Sequence, residues 1–113
     1  MSQGNPQKTI ISYFQSRDHF IRLLEKNPGL VIIKMGATWC GPCKTLMANL
    51  EMAQKSSLTV PVYKFDIDSD KEFAVSEMGI RSVPTLKIFK GGEVADTKVG
   101  VVPVNELITL ING

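Results

Sequence analysis

Histidine occurs once in this chain of 113 residues, tryptophan once and cysteine twice. Structural zinc draws four nitrogen or sulfur ligands, and His19 with two cysteines three positions apart cannot supply them from one copy. Only sharing between subunits would leave that reading open, and the expectation is no metal. A disulfide-stapled mini-domain needs several cysteine pairs, and so small a loop removes little entropy from the unfolded chain. Neither sign of charge dominates: thirteen Lys and Arg stand against eleven Asp and Glu, a net charge of +2, with no two basic residues adjacent. Nucleic acid and anionic membranes are therefore not expected as partners. The longest strongly apolar run, Leu30 to Ile33, falls far short of the ~20 residues a membrane helix needs. There is no internal repeat, low-complexity tract or linker, and no glycine-rich dinucleotide fingerprint. Met1 to Lys8 is polar and has no signal-peptide core. These residues are expected to form an extension ahead of one domain over residues 9–113, in a reducing, cytoplasmic setting.

What is present is an ordinary globular composition, 43% apolar and 21% charged, in a chain long enough to bury one core without staples. Thr9 to Ser12 suits a short edge strand. Ser16 to Lys26 has helical spacing, with Phe20, Leu23 and Leu24 on one face and Asn27-Pro28-Gly29 as its stop. Leu30 to Met35 is apolar and rich in β-branched residues apart from Lys34, the pattern of a strand buried on both faces. Pro42 to Gln54 repeats apolar residues at Cys43, Leu46, Met47, Leu50 and Ala53, a second helix. Val60 to Asp66 reads as strand, and Ser69 to Glu72 as a capping box opening a short helix that ends at Glu77. Thr85 to Lys90 and Glu93 to Val99 form a hairpin about Gly91-Gly92. Val104, Leu107, Ile108 and Ile111 define a last helix behind Pro103. Alternating strands and helices require parallel pairing, and the hairpin adds an antiparallel pair. The expected fold is α/β, a mixed central sheet of four or five strands with helices on both faces.

The chemistry centres on Trp39-Cys40-Gly41-Pro42-Cys43. Cys40 falls between a buried strand and a helix, and Pro42 suits the first helical turn, where its missing N–H costs nothing. Free N–H groups and the positive end of the helix dipole then favour the Cys40 thiolate, the species that attacks disulfides. Cys43, one turn on and on the apolar face, is placed to attack Cys40 in turn and release a bound partner. Gly41 permits close approach of another chain, and Trp39 offers an apolar shield. A purely structural role for the two cysteines is the bland alternative.

The run Ala37-Thr38-Trp39-Cys40-Gly41-Pro42-Cys43-Lys44 resembles the active-site signature of the thioredoxin family. The likeness continues through Lys64-Phe65-Asp66-Ile67-Asp68, Gly79-Ile80-Arg81-Ser82-Val83-Pro84-Thr85, Phe89-Lys90-Gly91-Gly92-Glu93 and Lys98-Val99-Gly100, covering about Thr9 to Ile111. The resemblance implies the thioredoxin fold, strand order 1-3-2-4-5, and a site at the carboxyl end of the second strand. It implies a cis Pro84 that presents the Val83 backbone to substrate, and close approach of substrate at Gly100. The implied activity is reduction of disulfides in protein substrates. No cofactor would be bound; the redox-active disulfide Cys40–Cys43 would be reduced by NADPH through a thioredoxin reductase, with the chain acting as a monomer. Rival readings are a disulfide isomerase or oxidase on the same fold, and a binding subunit whose redox chemistry is incidental.

Two positions depart from the family pattern. Where the family has a buried Asp, and an aromatic two residues later, this chain has Lys34 and Gly36. Lys34 and Lys64 are thus candidate modulating residues. Lys34 has three open outcomes: its amine reaches solvent past its own stem, it stays cationic beside a carboxylate or the Cys43 thiolate, or it is neutral and acts as a base. Asp66, Asp68, Asp70 and Glu77 match part of a calcium-loop template, but Lys71 occupies the position that demands glycine, and strand and helix-start charges account for them. His19 is expected to be solvated, and Met47, Met52 and Met78 to fill core space.

Overall fold

The computed structural model describes residues 11–14, 16–56 and 60–112; the polar segment 1–8 and the beginning of the first predicted strand lie outside the described residues. Among the described residues five strands, β1 (Ile11–Tyr13), β2 (Leu30–Gly36), β3 (Val62–Asp66), β4 (Thr85–Lys90) and β5 (Glu93–Val99), form one sheet in the order β1-β3-β2-β4-β5. β3 runs parallel to both β1 and β2, whereas β4 pairs antiparallel with β2 and with β5. Among the described residues three α-helices accompany the sheet, α1 (Arg17–Lys26), α2 (Gly41–Ser56) and α3 (Val104–Asn112), besides short helical turns at Ile67–Ser69 and Phe73–Glu77. No helix among the described residues is long and apolar enough to cross a membrane.

β2 is central, and pleating sends its alternate side chains to opposite faces. Val31, Ile33 and Met35 join Leu23 of α1 and the rings of Phe14, Phe65 and Phe73. Ile32 joins Leu46, Leu50 and Ala53 of α2 and Leu107 and Ile111 of α3 on the other face. Both faces are covered, which is why β2 reads as a continuous apolar run. Lys34 is the exception within it, only 8% exposed on the face that carries α2.

The hairpin turns at Gly91 (φ +62°) and Gly92 (φ +83°), left-handed conformations that glycine adopts without the usual Cβ penalty. At the start of α1, Ser16 accepts the His19 N–H at 3.1 Å.

Several details differ from the sequence expectations. Asp70 accepts the Phe73 N–H at 3.0 Å and so caps the helical segment that begins at Lys71 and continues through Phe73–Glu77, in place of Ser69, which ends a 3-10 turn over Ile67–Ser69. A carboxylate can cap as well as a hydroxyl, so the motif alone did not choose between neighbouring acceptors. Asp70→Ala is expected to cost about 1 kcal/mol, read as a lower urea midpoint with an unchanged slope. Met52 is 57% exposed and fills no core; the buried stripe of α2 continues instead through Ala53 and Gln54. His19 is half-buried, with its ring edge-on to Phe14 at 6.3 Å between centroids. Strand β3 begins at Val62, two residues later than its apolar pattern suggests.

Candidate active site

β2 ends at Gly36 and α2 begins at Gly41, so Cys40 occupies the position just before the first helical turn. Its sulfur accepts the Cys43 N–H at 3.2 Å, as a Ser or Asp side chain does at other helix starts. Pro42 lies in that first turn, where it forfeits no hydrogen bond. The two cysteines are joined as a disulfide, with Cα atoms 5.3 Å apart. On reduction, a thiolate at Cys40 would receive the same N–H together with the helix dipole, worth typically 0.3–1 kcal/mol and up to ~2 kcal/mol where partly buried. Cys40 is 5% exposed and Cys43 1%, so the first sulfur is the more accessible of two largely covered ones.

Around the pair the chain brings together most of the residues singled out in the sequence. Ala37 packs with both cysteines, and Val83 and Ile67 lie against that cluster. The Val83–Pro84 peptide bond is cis. Gly100, at φ +91°, donates its N–H to the Pro84 carbonyl at 2.8 Å, which ties the end of β5 to the segment facing the cysteines. Gly41 and Pro42 are exposed, and Trp39 is 68% exposed with its indole N–H donated to an Asp68 carboxylate oxygen at 2.8 Å. Sequence reasoning treated Asp68 as a helix-start or strand charge and missed this bond. Its signal was only that an exposed tryptophan needs a fixed partner to hold its ring in place. Trp39→Phe retains an aromatic face without the donor, and Asp68→Asn retains an acceptor. Weaker substrate affinity in Trp39→Phe with near-normal affinity in Asp68→Asn is the expected pattern, measured as KM in a disulfide-reduction assay.

Behind the disulfide lies a cavity of about 310 Å³, lined among others by Lys34, Cys43, Lys44, Glu51, Lys64 and Asp66. Lys34 and Lys64 are register neighbours on the parallel strands β2 and β3, and Gly36 is paired with Asp66. Burial, with the Lys64 charge next in importance, pulls the Lys34 pKa below the ordinary lysine value; Asp66 opposes this. A lysine whose folded pKa is depressed surrenders protons on folding, so stability rises with pH between the folded and unfolded values. Urea midpoints of the chain should therefore climb relative to those of Lys34→Met as pH rises from neutrality into the alkaline range. Parallel profiles would show that the amine is equally charged in both states.

A disulfide couple at a helix start, facing a cis-proline turn on a mixed five-stranded sheet, defines a thiol–disulfide oxidoreductase. The thioredoxin family profile matches residues 12–113. Thioredoxin from Rickettsia prowazekii is 42% identical over 83 residues, which are 73% of this chain and 78% of that protein. Thioredoxin from Bacillus subtilis is 38% identical over 89 residues, 78% of this chain and 85% of that one. Among solved structures, a mutant thioredoxin from Halobacterium salinarum superposes with a TM-score of 0.81 at 30% identity, covering 98% of this chain and 94% of the other. Malassezia sympodialis thioredoxin gives 0.76 at 33% identity, covering 96% and 95%. The chain belongs to the thioredoxin family.

Proposed function

We propose that this chain reduces protein disulfides by reversible dithiol–disulfide exchange, with Cys40 as nucleophile and Cys43 as resolving thiol. The observation that carries the reading is the Cys40–Cys43 disulfide at the start of α2, with the Cys43 N–H already directed at the Cys40 sulfur. In the reducing direction the Cys40 thiolate attacks one sulfur of a substrate disulfide, and the other substrate sulfur leaves with the bonding electron pair. Cys43 then attacks Cys40, closing the internal disulfide and releasing the second substrate sulfur as a thiolate.

The Val83 backbone beside cis Pro84, with Gly100, Trp39, Gly41 and Pro42, forms the surface on which an extended substrate segment would lie. Proline leaves no N–H there to compete for the substrate's carbonyls. Lys34 and Lys64 modulate the buried sulfur from behind. In this reading electrons come from NADPH through a thioredoxin reductase, and the chain works as a cytoplasmic monomer with no bound cofactor.

Insulin-disulfide reduction with dithiothreitol as electron source tests the reading. The chain is expected to accelerate precipitation of the insulin B chain well beyond dithiothreitol alone, and no acceleration would sink the proposal. Equilibration with a glutathione buffer separates the neighbouring activities. A reductant keeps Cys40–Cys43 oxidised against the glutathione pool, whereas a couple easily reduced by glutathione belongs to an isomerase or oxidase.

A further inference from the structure

Lys34 and Gly36 act together in this structure. The Lys34 side chain curls over Gly36, so that a Cβ added there would lie 2.6 Å from its Nζ and 2.8 Å from its Cε. The same added Cβ would lie 3.3 Å from the sulfur of Cys43. The amine and the buried sulfur thus both border the point where a Cβ of residue 36 would sit, and the lysine can occupy that space only because residue 36 has no side chain. A Cβ there would force the amine to shift.

The amine is poorly supplied with alternatives. Lys34 is 8% exposed, and its amine makes no hydrogen bond or salt bridge among the described residues. The charged groups that share its cavity are Lys64 and Asp66 from β3 and Lys44 and Glu51 from α2, while its β4 neighbour, Leu86, carries no charge. A cationic amine so placed bears a desolvation cost that a thiolate alongside would offset.

We propose that Lys34 holds the proton of the Cys43 thiol during the resolving step, and that Gly36 is the gap that lets its amine reach that sulfur. This rests on the disulfide-reductase reading. In the mixed disulfide between Cys40 and substrate, the Cys43 S–H gives its proton to the neutral Lys34 amine, leaving a thiolate beside an ammonium. The thiolate attacks the Cys40 sulfur. A Cys40–Cys43 bond forms as the Cys40–substrate bond breaks, and the electron pair departs on the substrate sulfur. That sulfur takes a proton from solvent, and the ammonium returns its own to solvent. The enzyme's two thiols are oxidised and one substrate disulfide is reduced. Depression of the Lys34 pKa by burial and by Lys64 supports this role, since it makes the neutral amine accessible nearer physiological pH. Lys34 is in this account the proton acceptor of the resolving step, distinct from the nucleophile.

The test is ultraviolet thiolate titration of Cys43 in the full-length Cys40→Ser chain, alone and combined with Lys34→Met or Gly36→Ala. Lys34→Met should lower the Cys43 thiolate fraction at neutral pH about tenfold, one pKa unit upward. Gly36→Ala, which keeps the lysine but displaces its amine, should move the titration in the same direction. Together the two changes should give little more than either alone. With Cys40 intact, release of substrate from the mixed disulfide should slow about tenfold at neutral pH in Lys34→Met and recover as pH rises. A Cys43 titration unmoved by Lys34→Met overturns the proposal, and one unmoved by Gly36→Ala overturns the role given to that gap. The titration uses no substrate, so it stands apart from the insulin assay on which the disulfide-reductase reading depends.

Discussion

Cys40→Ser is expected to bring insulin-disulfide reduction down to the rate of dithiothreitol alone, while the fold and its urea midpoint in reducing buffer stay close to those of the unsubstituted chain. A hydroxyl at this helix start accepts the Cys43 N–H as well as sulfur does, so the local cap survives. The thiolate does not survive, and only a thiolate attacks a disulfide at a useful rate. Cys43→Ser should behave differently. Its Cys40 still attacks, but the product cannot be resolved, so a mixed disulfide with substrate accumulates to one equivalent and turnover stops. Mass spectrometry of the trapped species reads this directly. Equal trapping by the two variants would mean that the sulfurs are interchangeable, contrary to their different placement at the helix start. Full function with both cysteines changed to serine would instead select the rival binding-subunit reading.

The second large effect is structural. Phe65→Ala should destabilise the chain by about 3–5 kcal/mol, the range typical of a buried phenylalanine truncated to alanine. Phe65 is 1% exposed, stacks on Phe14 at 4.8 Å and meets Phe73 edge-on at 5.3 Å between centroids. These rings hold the segment before α1 and the turn at Phe73–Glu77 onto one face of the sheet. Two edges of the aromatic cluster are lost with one ring, and the surrounding backbone belongs to a central strand that has little freedom to collapse into the cavity. Denaturant melts should show the loss as a lower midpoint with the slope preserved. A loss below about 1 kcal/mol would show that the neighbouring rings close the gap. Because residue 65 adjoins Lys64 and Asp66, activity should be compared well below the melting range, where a folded Phe65→Ala variant retains both cysteines.

Much of the architecture was legible because it is written in periodicity. The alternation of apolar runs, the Gly91-Gly92 turn and the repeat in α3 each depend on near neighbours in the chain, and the elements they specify are those observed. Boundaries were less legible where two adjacent residues had equivalent chemistry, as at Ser69 and Asp70. The burial of Gln54 and the exposure of Met52 run against residue type, since a helix stripe is fixed by what it packs against as well as by hydropathy.

For the candidate site, the sequence by itself determined the spacing of Cys40 and Cys43, the proline that opens the helix, and the presence of Lys34 and Gly36 just ahead of them. These are facts about order along the chain, and helical geometry converts such spacing into distance without help from elsewhere. Only the tertiary structure decided which way Lys34 turns, that Asp68 holds the Trp39 ring, and that Gly100 ties back to Pro84. Each of those joins residues far apart in sequence or chooses among rotamers of a long side chain. Such choices are settled by the packing of α2 and β3 around β2, where desolvation and the space at Gly36 outweigh any local preference.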